Sequence, residues 1–99
     1  MNTMAELIGF LVYVLQLFIW IIIIQAILSW LVAFNVVNTS NRFVYTVLTG
    51  LDRILNPFLR PIRRLLPDMG GIDLSPLVLI LGIMLLQRLL QGLALDLLI

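Results

Sequence analysis

The chain contains no cysteine and no histidine, and only 11% of its 99 residues are charged. The lack of cysteine excludes disulfides and thiolate nucleophiles, and the lack of histidine removes the imidazole base and the commonest metal ligand. No phosphate-binding glycine loop, catalytic carboxylate pair or nucleophile with a neighbouring base is visible either. We therefore expect neither an enzyme nor a cofactor or metal site. A net charge of +1 is too small to indicate nucleic-acid binding.

Apolar residues dominate instead, because they make up 63% of the chain and give a mean hydropathy of +1.19. Soluble domains carry roughly 25% charged residues, so this composition indicates a membrane protein. Two stretches, 7–34 and 74–98, exceed the about 20 apolar residues that a helix needs to cross a bilayer. The first stretch carries no charged residue. It is too long for a cleaved signal peptide and follows no basic residue, which favours a permanent span.

Five of the six arginines lie between these two stretches. Because short loops rich in arginine stay in the cytoplasm, the connector is predicted cytoplasmic and both termini extracytoplasmic. The predicted fold class is all-α integral membrane, in a single domain over 1–99. Its parts are a hairpin of two transmembrane helices, an interfacial amphipathic helix and a proline and glycine elbow between the spans.

Segment 39–66 of the connector has apolar residues at helical spacing, which predicts the amphipathic helix. Two arrangements remain open for its apolar face. The face lies in the headgroup boundary, with arginines reaching anionic phosphates, or it packs on the spans or on a second copy. Asn38 and the two residues after it are interpreted as the N-cap.

The elbow follows, with a turn predicted over 67–73. Since proline cannot donate a backbone hydrogen bond and disfavours helix in the residue before it, the helix is predicted to end or kink near Asn56. A short helical turn from Pro61 is then expected to stop at Pro67. Ser75 is predicted to cap the second span, beside Asp73, which either adds charge there or pairs with an arginine. The residues assigned to the elbow are Pro57, Pro61, Pro67, Gly70, Gly71, Asp73, Ser75 and Pro76.

Four arginines of the connector form the candidate docking surface, for a protein partner or for anionic lipid headgroups. They are Arg53, Arg60, Arg63 and Arg64. Anchoring of the connector on the cytoplasmic side would place arginines there without any docking, and it is the stronger alternative.

Polar residues also interrupt the spans, namely Gln16 in the first and Gln87, Arg88 and Gln91 in the second. An arginine about 20 Å inside a span is a candidate for function. Arg88 either pairs with Gln16 or with glutamines of the same or another copy, or its side chain extends toward the outer headgroups. A face of Gln25, Ala26, Ser29 and Ala33 is predicted to be an oligomer contact.

The stretch NPFLRPIRRLLPDMGGIDLSPLVLIL resembles the signature of the YggT family, small bacterial membrane proteins with plastid relatives. The order P-x-x-R-P-x-R-R-x-x-P followed by G-G-x-D-x-S-P carries the resemblance, although Asp68 stands where a second proline is frequent. The resemblance implies location in the bacterial cytoplasmic (inner) membrane. Many members carry two such hairpins in tandem, so a homo-oligomer is expected for a chain with one.

The same resemblance implies roles in membrane biogenesis, cell division or shape, osmotic stress tolerance or, in plastids, assembly of a b-type cytochrome. Without histidine or cysteine, a role in haem-protein assembly would be scaffolding. Three function classes remain. The favoured one is a scaffold or assembly factor whose basic connector docks an unidentified membrane or cytoplasmic protein. The others are an oligomeric channel or osmotic-stress transport element, and a lipid-organising protein of the membrane surface.

Overall fold

Three helices account for most of the residues that the computed structural model describes, which are 3–67 and 73–98. They are α1 (Thr3–Ala33), α2 (Arg42–Leu65) and α3 (Ser75–Leu98). The prediction of an all-helical chain is confirmed. Two helical stretches, Thr3–Ala33 and Ser75–Asp96, are long and apolar enough to cross a membrane. α1 begins four residues before the predicted span and has 31 residues, so its length of about 46 Å exceeds the roughly 30 Å of a bilayer core.

α1 and α3 pack side by side in opposite directions. The indole nitrogen of Trp30, near the end of α1, donates to the backbone oxygen of Asp73, just before α3, at 2.9 Å. Farther along α3, the Nε2 of Gln87 donates to the backbone oxygen of Val12 at 3.1 Å. The end of α1 therefore lies beside the start of α3.

α2 packs against the half of this pair that lies nearest to the connecting segments. Leu55 and Leu59 are fully buried in a cluster with Ile19, Ile22 and Ile83. The ring of Phe58 meets the ring of Phe18 edge-on, with 5.2 Å between centroids. The other two helices thus cover one apolar flank of α2. For this flank, packing on the candidate spans is the arrangement that holds, of the two that the sequence left open.

Asparagines shape the connection between α1 and α2. Asn35 adopts a positive φ of 64°, and the amides of Asn35 and Val36 donate to the carbonyls of Val32 and Leu31. This pattern is the Schellman motif that ends many helices. α2 begins after Asn41, whose Oδ1 accepts from the amides of residues 43 and 44.

The prediction that Asn38 caps α2 is therefore wrong. Its Oδ1 accepts from the amide of Ser40 at 3.0 Å and closes the turn before the cap. Because an asparagine side chain serves a turn and a helix cap equally well, the sequence does not distinguish the two sites.

Of the two alternatives predicted near Asn56, an end of the amphipathic helix is wrong, because α2 continues through Pro57 and Pro61 to Leu65. Each proline leaves the carbonyl four residues earlier without its helical amide, here those of Arg53 and Pro57. Both prolines lie on the exposed polar face, where solvent can satisfy these carbonyls, while the opposite face is held by Leu55 and Leu59.

Pro67, unlike Pro57 and Pro61, does limit α2. Leu66 is extended, with φ −90° and ψ 141°, as expected for the residue before Pro67. Gly70 and Gly71, which were assigned to the predicted turn over 67–73, lie outside the described residues. The start of α3 differs from the prediction, because Ser75 is its first residue and Pro76 its second.

Candidate functional site

The polar face of α2 forms a shallow groove of about 750 Å³. Its residues recur at intervals of three and four, so a single helix face presents them together. We call it the arginine groove. It is lined by Thr49, Asp52, Arg53, Asn56, Pro57, Arg60, Pro61, Arg63 and Arg64. All four arginines predicted to form a docking surface thus lie in one place.

Arg63 differs from the other three arginines because it is already paired. Its Nε and Nη2 lie 2.9 and 2.6 Å from Oδ2 of Asp73, and its Nη1 donates to Oδ1 of Asn56 at 3.4 Å. This salt bridge joins the end of α2 to the start of α3. Arg53, Arg60 and Arg64 are exposed, and no carboxylate within residues 3–67 and 73–98 pairs with any of them.

Asp73 both pairs with an arginine and caps α3, so the two alternatives for this residue hold together. Its Oδ1 accepts from the amide and hydroxyl of Ser75 at 3.0 and 2.5 Å. Ser75 is therefore a donor to the cap and not the cap itself, which corrects the prediction. Burial raises the pKa of the Asp73 carboxyl, but hydrogen bonds from Ser75 and Arg63 outweigh it and lower the pKa below its ordinary value.

Gln25 of α1 and Asp52 of α2 form a contact that sequence reasoning missed. Gln25 is only 1% exposed, and its Nε2 donates to Oδ1 of Asp52 at 2.8 Å. Its Oε1 is buried and accepts no hydrogen bond from the described part of the chain. Gln25 and Ala26 are buried within this chain, so these two cannot belong to the predicted oligomer contact. For Ser29 and Ala33, which are not buried, it stays a prediction. An amide side chain with apolar neighbours in a candidate span was the available signal for an internal partner.

A second groove, of about 390 Å³, lies between the two candidate spans. The structure places Gln87 rather than Arg88 beside Gln16, with Nε2 of Gln87 donating to Oε1 of Gln16 at 3.3 Å. The predicted contact of Gln16 with Arg88 is therefore wrong by one position, which on a helix turns the side chain by about 100°. Arg88 and Gln91 are exposed. We call this the intramembrane groove; it is lined by Gly9, Val12, Tyr13, Gln16, Met84, Gln87, Arg88 and Gln91.

Comparison with known proteins gives a family and several relatives. The CCB3/YggT family model matches residues 4–94. The uncharacterized protein YggT of Escherichia coli K12 is 45% identical over 65 residues, which cover 66% of this chain and 30% of the relative. An uncharacterized protein of Haemophilus influenzae is 42% identical over 59 residues, or 60% of this chain and 28% of the relative.

A further relative matches over most of its length. The uncharacterized protein ycf19 of Guillardia theta is 36% identical over 87 residues, which cover 88% of this chain and 80% of the relative. By contrast, the aligned part of the chain spans less than a third of the two bacterial relatives. No solved structure matches the chain.

Proposed function

Because the chain belongs to the CCB3/YggT family, as its proline and arginine motif indicated, we propose that it is a non-enzymatic scaffold or assembly factor of the bacterial cytoplasmic membrane. In this proposal α1 and α3 cross the membrane as a hairpin with both termini extracytoplasmic. α2 lies at the cytoplasmic surface, since five of the six arginines lie between the spans.

The arginine groove carries the proposal. Arg53, Arg60 and Arg64 are exposed on one face of α2, whereas Leu55 and Leu59 on another face are fully buried. The buried leucines hold the helix against the other two helices, so the backbone positions that carry the three arginines have a fixed spacing. Arg53 and Arg60 are separated by about 10 Å along the helix, and Arg53 and Arg64 by about 16 Å.

This arrangement supports an acidic protein segment as partner. A guanidinium group binds a carboxylate through two parallel hydrogen bonds, and such pairs are stronger than neutral hydrogen bonds. The carbonyls of Arg53 and Pro57, which the two prolines deprive of helical amides, add acceptors to the same groove. A partner segment with acidic side chains at matching intervals would pair with the guanidinium groups, and its amide or hydroxyl donors would satisfy the two carbonyls.

A photo-crosslinking residue at Arg60, in native membranes, tests the proposal. Arg60 is preferable to Arg63, because replacing Arg63 would also remove the salt bridge to Asp73. We expect a discrete protein adduct that Arg64→Gln weakens and Arg42→Gln does not. Both substitutions remove one exposed positive charge from α2, but Arg42 lies outside the arginine groove.

Two results would contradict docking of a protein. Capture of phospholipid alone would make the protein a lipid organiser at the membrane surface, a role that the exposed Ile54 and Phe58 beside the groove would serve. An adduct that responds equally to Arg64→Gln and Arg42→Gln would show only general electrostatic attraction.

An oligomeric channel or osmotic-stress transport element is the second candidate function. The intramembrane groove favours it, because it brings Gln16, Gln87, Arg88 and Gln91 together in the middle of two apolar helices. A single hairpin cannot enclose a pore, so this function requires an oligomer. Conductance of the purified protein in planar bilayers that changes with Arg88→Gln would support it.

A further inference from the structure

Polar side chains are exposed on one side of the two candidate spans. Tyr13, Gln16, Arg88 and Gln91 line the intramembrane groove and are all exposed. Arg88 lies 13 residues after the start of the span Ser75–Asp96, which is about 20 Å along the helix, and Asp96 lies about 12 Å beyond it. Polar groups in such a position face protein or water rather than lipid in membrane proteins.

We propose that a second copy of this chain covers the intramembrane groove, so that the protein is a two-fold symmetric dimer in the membrane. The inference does not use the arginine groove and therefore stands or fails independently of the proposed docking role.

The chemistry of the groove is complementary to itself. The guanidinium of Arg88 has five N–H donors and no acceptor, whereas the amides of Gln16 and Gln91 and the phenol of Tyr13 offer acceptor oxygens. An interface related by a two-fold axis needs one patch that carries both donors and acceptors. The groove meets this requirement without any acidic residue.

Insertion into a membrane places the donors and acceptors of the two copies at the same depth. Two copies inserted in the same orientation are related by an axis along the membrane normal, so each residue faces residues of its own depth. The hydrogen bond between Gln87 and Gln16 shows that the α1 and α3 walls of the groove lie at the same level. Arg88 of one copy then lies at the level of Gln16, Tyr13 and Gln91 of the other.

Gly9 lies in the wall of the groove and is exposed. A Cβ atom added there would meet nothing within 4 Å, as is also true at Gly50, Gly82 and Gly92. Packing within one chain therefore gives no reason for a glycine at this helical position, where glycine is unfavourable. Small residues are enriched where a helix of another subunit approaches closely in a membrane.

Single-cysteine crosslinking in native membranes tests the dimer. The natural chain has no cysteine, so each introduced thiol is the only one present. We expect a short thiol-specific crosslinker to join two copies of Gln91→Cys but not two copies of Leu89→Cys. Leu89 is exposed and lies at nearly the same depth, but about 160° away around α3.

Two further substitutions separate dimer contact from folding of the monomer. Gly9→Leu should abolish crosslinking of Gln91→Cys without loss of helix content, because leucine favours helix more than glycine does. Arg88→Ala should weaken dimerisation about three- to tenfold, as loss of interhelical hydrogen bonds in membranes does. Equal crosslinking at Gln91 and Leu89, crosslinking of Gln91→Cys only to a thiol of another protein, or unchanged dimer in Gly9→Leu would overturn the proposal.

Discussion

Replacing Asp73 tests how α2 and α3 are held together, because this residue contacts both ends of the connection and α1 as well. Its carboxylate accepts from the amide and hydroxyl of Ser75 and from Arg63. Its backbone oxygen accepts from Trp30. Asp73→Ala removes the carboxylate interactions and keeps the backbone one, so the measured loss belongs to the side chain.

The expected loss follows from the three partners. A lost helix cap costs about 1 kcal/mol, and the fully buried Ser75 hydroxyl loses its acceptor at a cost of about 1 kcal/mol. The salt bridge contributes only about 0.5 kcal/mol, because the Arg63 side chain is 38% exposed to solvent. We therefore expect Asp73→Ala to lower the free energy of unfolding by about 2–3 kcal/mol and Arg63→Gln by about 0.5 kcal/mol.

Reversible unfolding in mixed micelles, titrated with sodium dodecyl sulfate and followed by circular dichroism, measures these losses. Asp73→Asn keeps a capping oxygen and should fall between the two variants. The double variant of Asp73→Ala and Arg63→Gln should be only slightly less stable than Asp73→Ala alone, because both remove the same salt bridge. If Asp73→Ala costs no more than Arg63→Gln, the cap does not stabilise α3 and the reasoning is refuted.

Two more predictions concern acid and the buried amide. Because the folded-state pKa of Asp73 is lowered, the carboxylate stabilises the fold fully above the unfolded pKa of about 3.9, and this stabilisation is lost as pH falls through the lowered value. Unfolding titrations at neutral pH and near pH 3 should show this loss of stability. The loss should be smaller in Asp73→Asn. Asp52→Ala leaves the buried Nε2 of Gln25 without its acceptor and should cost about 1–2 kcal/mol in the same assay. In a Gln25→Leu background the same substitution should cost less, and an equal cost would show that the Gln25–Asp52 hydrogen bond contributes nothing.

The long helices are predictable from sequence because their signals are local. An uncharged apolar run specifies α1, and apolar residues at helical spacing specify α2. The prolines wrongly predicted an end of the helix near Asn56, because the effect of a proline on a helix depends on packing, which a sequence does not show. Pro57 lies opposite fully buried leucines, so the tertiary contacts of α2 outweigh the cost of the missing helical hydrogen bonds.

The pairings of polar side chains were less predictable because they depend on how the helices are rotated against one another. Depth along the spans correctly placed Gln16 near Arg88, but the rotation of α3 turns Gln87 toward α1 instead. Gln25 and Asp52 are 27 residues apart, and neither lies in a repeating pattern that would link them. Such contacts follow from the packed structure and not from periodicity.

The hydrogen bond between Gln25 and Asp52 also bears on the order in which the chain is made. Synthesis proceeds from the N-terminus, so α1 and α2 both leave the ribosome before α3. α1 can therefore satisfy one of its two glutamines within the segments already synthesised, with Phe18 and Phe58 packing at the same stage. The partner of Gln16 is Gln87, which belongs to α3 and is synthesised later. α2 can thus pack on α1 before α3 has been made.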